Sequence, residues 1–215
     1  EISQTMLRQA KSFGAEVISQ ATISDLDLTG EIKVVDVEDE GVYEAPAVIL
    51  APGGTPRALG LESENRFSGK GISYCATCDG DFFTDKPIAV IGGGNSALEE
   101  AVALTKYASK VTVVHEFDHF QAQPWIVEEA RSNPKIELLM AQQVVDFEGD
   151  SSLEAVVVES KESGEAHRIT ADGCFIFIGY VPNTEAFQGV VSMNERGEII
   201  ADEQMGTSAS GVYVA

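Results

Sequence analysis

Residues 73–83 read SYCATCDGDFF: two of the chain's three cysteines stand three positions apart and are followed at once by Asp79 and Gly80. Cysteines at that spacing serve as a disulfide staple, as half of a zinc site, or as a dithiol that cycles with its own disulfide. Three unevenly spaced cysteines are too few to staple 215 residues. A zinc site asks for four ligands, and no second C-x-x-C or His pair stands near. The redox dithiol of Cys75 and Cys78 remains, with Asp79 placed to carry the proton that a leaving thiolate needs. Cys174 lies inside the apolar run DGCFIFIG and reads as a small core residue.

A second chemical pattern follows within a few residues. Gly92, Gly94 and Ala97 match G-x-G-x-x-A directly after the apolar run Ile88–Ile91 and ahead of a helix-periodic stretch, the context in which that pattern signifies dinucleotide binding. Gly92 permits the tight turn and Gly94 lets a pyrophosphate approach the backbone, while the N–H groups and dipole at the helix start face the anion. Glu116, 24 residues after Gly92 at the end of VTVVHEF, stands near the separation at which an acid accepts hydrogen bonds from an adenosine ribose. The competing reading of Glu116 is a solvated side chain at a strand end. His115 and His119 read as rim residues, and no metal site is expected.

These groups need elements to hold them. KPIAVIGGGNSALEEAVALTKYASKVTVVHEF runs strand, glycine turn, helix, strand, with Ala97, Ala101, Leu104 and Ala108 on one helical face. A helix is predicted over residues 3–13, with Met6, Leu7, Ala10 and Phe13 at helical spacing. Short strands follow in EVIS, ISDLDLT, EIKVVDVED and APAVILA. APGGTPRAL breaks all regularity. A further helix covers Trp125–Arg131, and strands are predicted in IELLM, QVVDFEG, LEAVVVES and HRITADGCFIFIG. The end, GEIIADEQMGTSASGVYVA, reads as a hairpin and the start of a buried strand. With 35 acidic residues against 14 basic and a net charge of −21, the chain lacks the cationic footprint of a nucleic-acid or anionic-membrane binder. Cysteines too few to staple the chain fit a reducing cytoplasm; no apolar run is long enough to span a membrane, and no signal peptide is visible.

Taken together, YCATCDGDFF, VIGGGNSALEEAVALTKYASKVTVVH, NPKIEL, DGCFIFIGYVPNTE and TSASGVYVA resemble, in order and along essentially the whole chain, the low-molecular-weight thioredoxin reductases and their peroxiredoxin-reducing flavoprotein relatives. The resemblance implies an α/β, three-layer ββα architecture. A Rossmann-like NAD(P) domain at 58–184 would carry the dithiol, inserted into an FAD-binding domain at 1–57 and 185–215. It implies a homodimer whose domains rotate, with Cys78 facing the flavin, Cys75 attacking the disulfide of thioredoxin or a thioredoxin-like protein, and Asp79 as acid. It places Gly93, Asn95, Ser96, His115, Ile178 and Gly179 with the nicotinamide nucleotide, and Ala51, Pro52 and Gly53 on the flavin side.

Two departures stand out. The family's opening G-x-G-x-x-G and closing Gly-Asp pair do not occur here, so the sequence reads as a piece of a longer protein. HEFDHFQ stands where NADPH-using members look like His-Arg-Arg with a further Arg. Glu116, Phe117 and Gln121 replace all three cations, so NADH is expected over NADPH by at least about tenfold, from like-charge repulsion of a 2′-phosphate. Two alternatives within the enzyme class remain open: reduction of a peroxiredoxin or glutaredoxin-like partner, and a ferredoxin-fed variant. Outside it stands a non-catalytic nucleotide-binding or redox-sensing module.

Overall fold

Residues that alternate polar and apolar between 23 and 45 form a three-stranded antiparallel meander in the computed structural model, which describes residues 2–215. It is preceded by α1 (Ile2–Ser12), which has no buried residue; its apolar stripe is in solvent, with Phe13 just beyond it 91% exposed. The strands are β1 (Ile23–Asp27), β2 (Lys33–Val37) and β3 (Gly41–Ala45), with Val34–Val37 of β2 paired to both neighbours. EVIS, expected as a strand, is not one: residues 16–19 carry no strand and are exposed, so they lack the partner that a strand's N–H and C=O groups require. The short β4 (Val48–Leu50) follows. By contact density the chain divides into two units, Glu1–Gly53 with Pro182–Ala215, and Gly54–Val181.

The second unit opens with β5 (Gly54–Pro56), inside the segment expected to be irregular, and α2 (Glu62–Phe67), which sequence periodicity did not reveal. Then come β6 (Ile72–Ser73), the single-turn α3 (Ala76–Asp79) with a 3-10 turn at Gly80–Phe83, β7 (Pro87–Ile91), α4 (Asn95–Leu104), β8 (Lys110–Val114), α5 (Pro124–Ser132) and β9 (Ile136–Leu139). Three longer strands, β10 (Gln142–Gly149), β11 (Leu153–Ser160) and β12 (Ala166–Thr170), form an antiparallel sheet, and β13 (Gly173–Ile176) returns to the centre of the unit. The unit closes through β14 (Tyr180–Pro182), which pairs with β5.

Three layers result. The central sheet is parallel throughout, in the order β6-β13-β7-β8-β9. Because strand side chains alternate, β7 sends Ile88 and Val90 to one core and Ala89 and Ile91 to the other. The first core joins the sheet to α4 and α5 through Leu98, Ala101, Leu104, Ile126 and Ala130. The second joins it to α2 and the antiparallel sheet through Phe67, Val144, Phe147 and Val156. Cys174 is fully buried there, and burial pushes its thiol pKa up. Burial on both faces is why β7 and β13 read as continuous apolar runs and β8 as one broken only by the buried Thr112 after its exposed Lys110. In the first unit, β15 (Val212–Val214) pairs parallel with β4, and Leu28, Leu50, Val191 and Val212 form its core.

Candidate active site

The turn between β7 and α4 contains three consecutive glycines, and each has a different physical reason. Gly92 sits at φ 133°, and a Cβ there would lie 2.3 Å from the Phe177 carbonyl oxygen. Gly93 is required by its neighbour: an added Cβ would lie 2.4 Å from the His115 ring. Gly94 is different. It has an ordinary φ of −88°, and a Cβ there would meet no protein atom within 4 Å. Among the described residues, nothing occupies the space of a side chain at 94; what it leaves open is the approach to the first turn of α4.

His115 is buried rather than on the rim. It is 4% exposed, stacked on Phe120 with ring centroids 5.8 Å apart, and its Nε2 lies 3.1 Å from the His119 carbonyl oxygen. Burial holds its pKa below the ordinary imidazole value, although the bond to His119 and the charge of Glu116 work the other way. The segment after β8 folds back over the glycine turn, with Gln121 N–H donating to the Gly93 carbonyl at 2.9 Å and Gln123 N–H to Asn95 Oδ1 at 2.7 Å. His119 is exposed and paired with Asp118 at 2.7 Å. No cluster of metal-ligating side chains occurs among the described residues.

The Cys75–Cys78 disulfide is formed, with Cys75 at the N-cap position of α3. Cys75 is half-buried and Cys78 exposed. Asp79 is held from the strand end before them: Ser73 Oγ donates to Asp79 Oδ2 at 2.6 Å and accepts from Cys75 N–H at 3.0 Å. Tyr74, between Ser73 and Cys75, donates its hydroxyl at 2.7 Å to Glu64 on α2. Glu64 is buried and accepts also from Leu59 N–H at 3.1 Å and Gly60 N–H at 2.8 Å. Burial and the Glu64 carboxyl together raise the Tyr74 pKa, so this hydroxyl stays a donor.

A cavity of about 780 Å³ joins these parts inside the second unit. Its lining includes Tyr74 and Cys75, Gly92 to Ala97, His115 and Glu116, and Ile178 and Gly179. Of the sequence-selected residues, Cys78 and Asp79 are not among the lining, and Ala51, Pro52 and Gly53 belong to the first unit, where the Pro52 and Gly53 carbonyls accept from Asn183. Arg57, Glu100 and Gln142 also line the cavity and were not selected from the sequence. Gln142 Oε1 is buried with no hydrogen-bond partner among the described residues. Lys161, on the β11–β12 turn, pairs with Glu116 at 3.2 Å. Its separation of 45 positions from Glu116 left no sequence signal.

The family described as pyridine nucleotide-disulphide oxidoreductase matches residues 2–215. The chain belongs to that family. A thioredoxin reductase of Peptoclostridium acidaminophilum is 41% identical over 218 residues, covering 99% of this chain and 69% of that protein. One of Streptomyces clavuligerus is 38% identical, covering 100% of this chain and 67% of its own length. Among solved structures, Lactococcus lactis thioredoxin reductase matches with a TM-score of 0.88 at 31% identity, over 100% of this chain and 70% of that one. The T. acidophilum thioredoxin reductase matches with a TM-score of 0.87 at 30% identity, with the same coverage. This pyridine nucleotide-disulphide oxidoreductase is therefore an enzyme of redox chemistry on an α/β fold of Rossmann type, and its membership implies FAD and a nicotinamide cofactor. The glycine turn fits the second of these: an anion at the start of α4 would meet the positive end of the helix dipole and no side chain at Gly94. For FAD, Ala51, Pro52 and Gly53 follow the carboxyl end of β4, the side of a parallel strand where such folds place a nucleotide, and Gly53 holds the φ of 62° that favours glycine there.

Proposed function

We propose that the protein is a flavoprotein disulfide reductase that carries electrons from a nicotinamide nucleotide to the disulfide of thioredoxin or a thioredoxin-like protein. The observation that carries this reading is the shared cavity: Cys75 of a formed disulfide and a glycine turn where a Cβ on Gly94 would meet no described residue line one space. The second unit serves as the nicotinamide-nucleotide domain and the first as part of the FAD domain. The relatives named thioredoxin reductase support thioredoxin as the partner; on the same reading the enzyme works as a homodimer in the cytoplasm.

A bound FAD would supply two-electron chemistry between the nicotinamide and the disulfide. The chain's own residues do the rest. Gly92, Gly93 and Gly94 with the first turn of α4 hold the pyrophosphate, aided by Asn95, Ser96 and Ala97. His115, Ile178 and Gly179 shape the walls, and Glu116 accepts from the adenosine ribose. Reduction of Cys75–Cys78 yields a dithiol. The Cys75 thiolate attacks one sulfur of the partner disulfide, forming a mixed disulfide and releasing a partner thiolate, to which Asp79 gives a proton. Cys78 then attacks the mixed disulfide, restoring Cys75–Cys78 and freeing the reduced partner. NADH is the preferred donor, because Glu116 would face a 2′-phosphate; Lys161 offsets part of that charge, so the expected preference is several-fold.

The test is the pair of single variants. Cys78→Ser should stop thioredoxin turnover and leave Cys75 able to trap the partner as a covalent adduct, seen by mass spectrometry. Cys75→Ser should stop turnover with no adduct through residue 75. Turnover surviving in either variant overturns the exchange.

A further inference from the structure

Lys161 does not line the cavity but pairs with Glu116, which does, and neither the glycine turn nor the dithiol explains that pairing. Lys161 stands on the turn between β11 and β12, and that turn is fixed: Ser160 N–H donates to the Glu165 carbonyl at 3.0 Å, and Gly164 N–H to the Ser160 carbonyl at 2.8 Å. It is also tied to the segment after β8. Lys161 N–H donates to the Ala141 carbonyl at 2.9 Å, and Ala141 N–H to the Phe117 carbonyl at 2.9 Å. The side chain runs back over that segment, with Nζ 3.2 Å from Glu116 Oε2 and 5.5 Å from the centroid of the Phe117 ring. Both members of the ion pair are partly solvated, 41% exposed for Lys161 and 53% for Glu116.

We infer that Lys161 is a specificity-determining residue of the nucleotide site, governing how the site treats a phosphate on the 2′ oxygen of the adenosine ribose. Any group that hydrogen-bonds to Glu116 comes within reach of the Lys161 ammonium. A free ribose hydroxyl donates to Glu116 and leaves the ion pair intact. A 2′-phosphate cannot donate in that way and is repelled by the carboxylate, but it offers the ammonium about two negative charges in place of one. A solvated pair is held weakly enough for the lysine to change partners. Lys161 thus moderates the discrimination that Glu116 imposes, and loss of either residue moves the preference in opposite directions. The inference rests on the nucleotide reading of the cavity.

Binding of two probes, 5′-AMP and 2′,5′-ADP, measured by calorimetry on the protein and its variants, tests it without turnover. The wild type should favour 5′-AMP. Lys161→Gln should weaken 2′,5′-ADP by about fivefold and leave 5′-AMP within about twofold, as expected for one partly solvated charge. Glu116→Gln should strengthen 2′,5′-ADP, and the Glu116→Gln/Lys161→Gln double variant should lose that gain. If 5′-AMP binds but Lys161→Gln leaves the ratio of the two affinities unchanged, or weakens both probes alike, the specificity role is wrong while the nucleotide site stands. If neither probe binds the wild type or any variant, the nucleotide reading itself is overturned, and this inference with it.

Discussion

Adjacent glycines in one turn make opposite demands at the scale of the residue. An alanine at 93 drives a methyl into the His115 ring, which is itself packed between Phe117 and Phe120. Gly93→Ala should therefore cost about 1–3 kcal/mol as an overpacked core does, visible as a lowered melting temperature. Gly94→Ala meets no atom of the protein. It should cost under about 1 kcal/mol, as for an Ala replacing Gly at a helix N-cap, while nucleotide affinity falls by at least about tenfold if the pyrophosphate lies against that backbone. Equal losses of stability in both variants would show that Gly94 serves packing. Ser73 is a similar case beside the dithiol. Ser73→Ala removes the donor to Asp79 and the acceptor of Cys75 N–H, a loss of about 1–3 kcal/mol for a buried group left unpaired. Disulfide reduction should slow several-fold while nucleotide binding persists, and Ser73→Thr should recover much of the rate.

Among the elements, the end of β8 carries a charge-sensitive packing. The His115 ring is neutral and buried, with its pKa held below the ordinary value of 6.5, chiefly by burial. In the unfolded chain the same ring takes up a proton just below 6.5. In the window beneath that value the unfolded state therefore binds more protons, and acid favours unfolding. The contribution to stability is whole above 6.5 and is lost as pH falls toward the folded pKa. Melting temperatures taken from about pH 7.5 to about pH 5 should decline less steeply in His115→Gln than in the wild type; parallel slopes would contradict this. On α2, Glu64 gathers three donors from the 59–60 loop and Tyr74. Glu64→Leu strands all three and should destabilise by about 3 kcal/mol or more, with Glu64→Gln milder because one acceptor oxygen remains.

The whole molecule carries a formal charge of −21 at pH 7. Self-repulsion of that size opposes the folded state and is screened by salt. Raising NaCl from about 20 mM to about 300 mM, where the screening length falls well below 10 Å, should raise the melting temperature by a few degrees. A fall would mean that attractive pairs such as Lys110–Glu137 and Arg168–Glu148 outweigh the net repulsion. No helix among the described residues is long and apolar enough to cross a membrane.

Local chemistry was legible in the linear chain. The β7–α4–β8 unit, its glycine turn and the C-x-x-C pair are written in contiguous residues, because a strand buried on both faces must be apolar throughout and a helix face must repeat every three or four positions. The α5 helix and the strands β9 to β11 declared themselves in the same way. The short β5 did not, since three residues show no period and its strand status depends on β14, more than a hundred positions away. EVIS had the composition of a strand but pairs with no strand among the described residues. His115 passed for a rim residue because its burial comes from Gly93 and Phe120 folding over it. Glu64 and Lys161 gave no sign at all: a carboxylate becomes a buried hub, and a lysine comes to pair with Glu116, only when distant backbone brings donors and charges together. Residue type and near spacing determined which chemistry this chain can perform. Which side chains hold, shield and bias that chemistry was decided by tertiary packing, because hydrogen bonds and charges act over a few ångströms of space and are indifferent to separation along the chain.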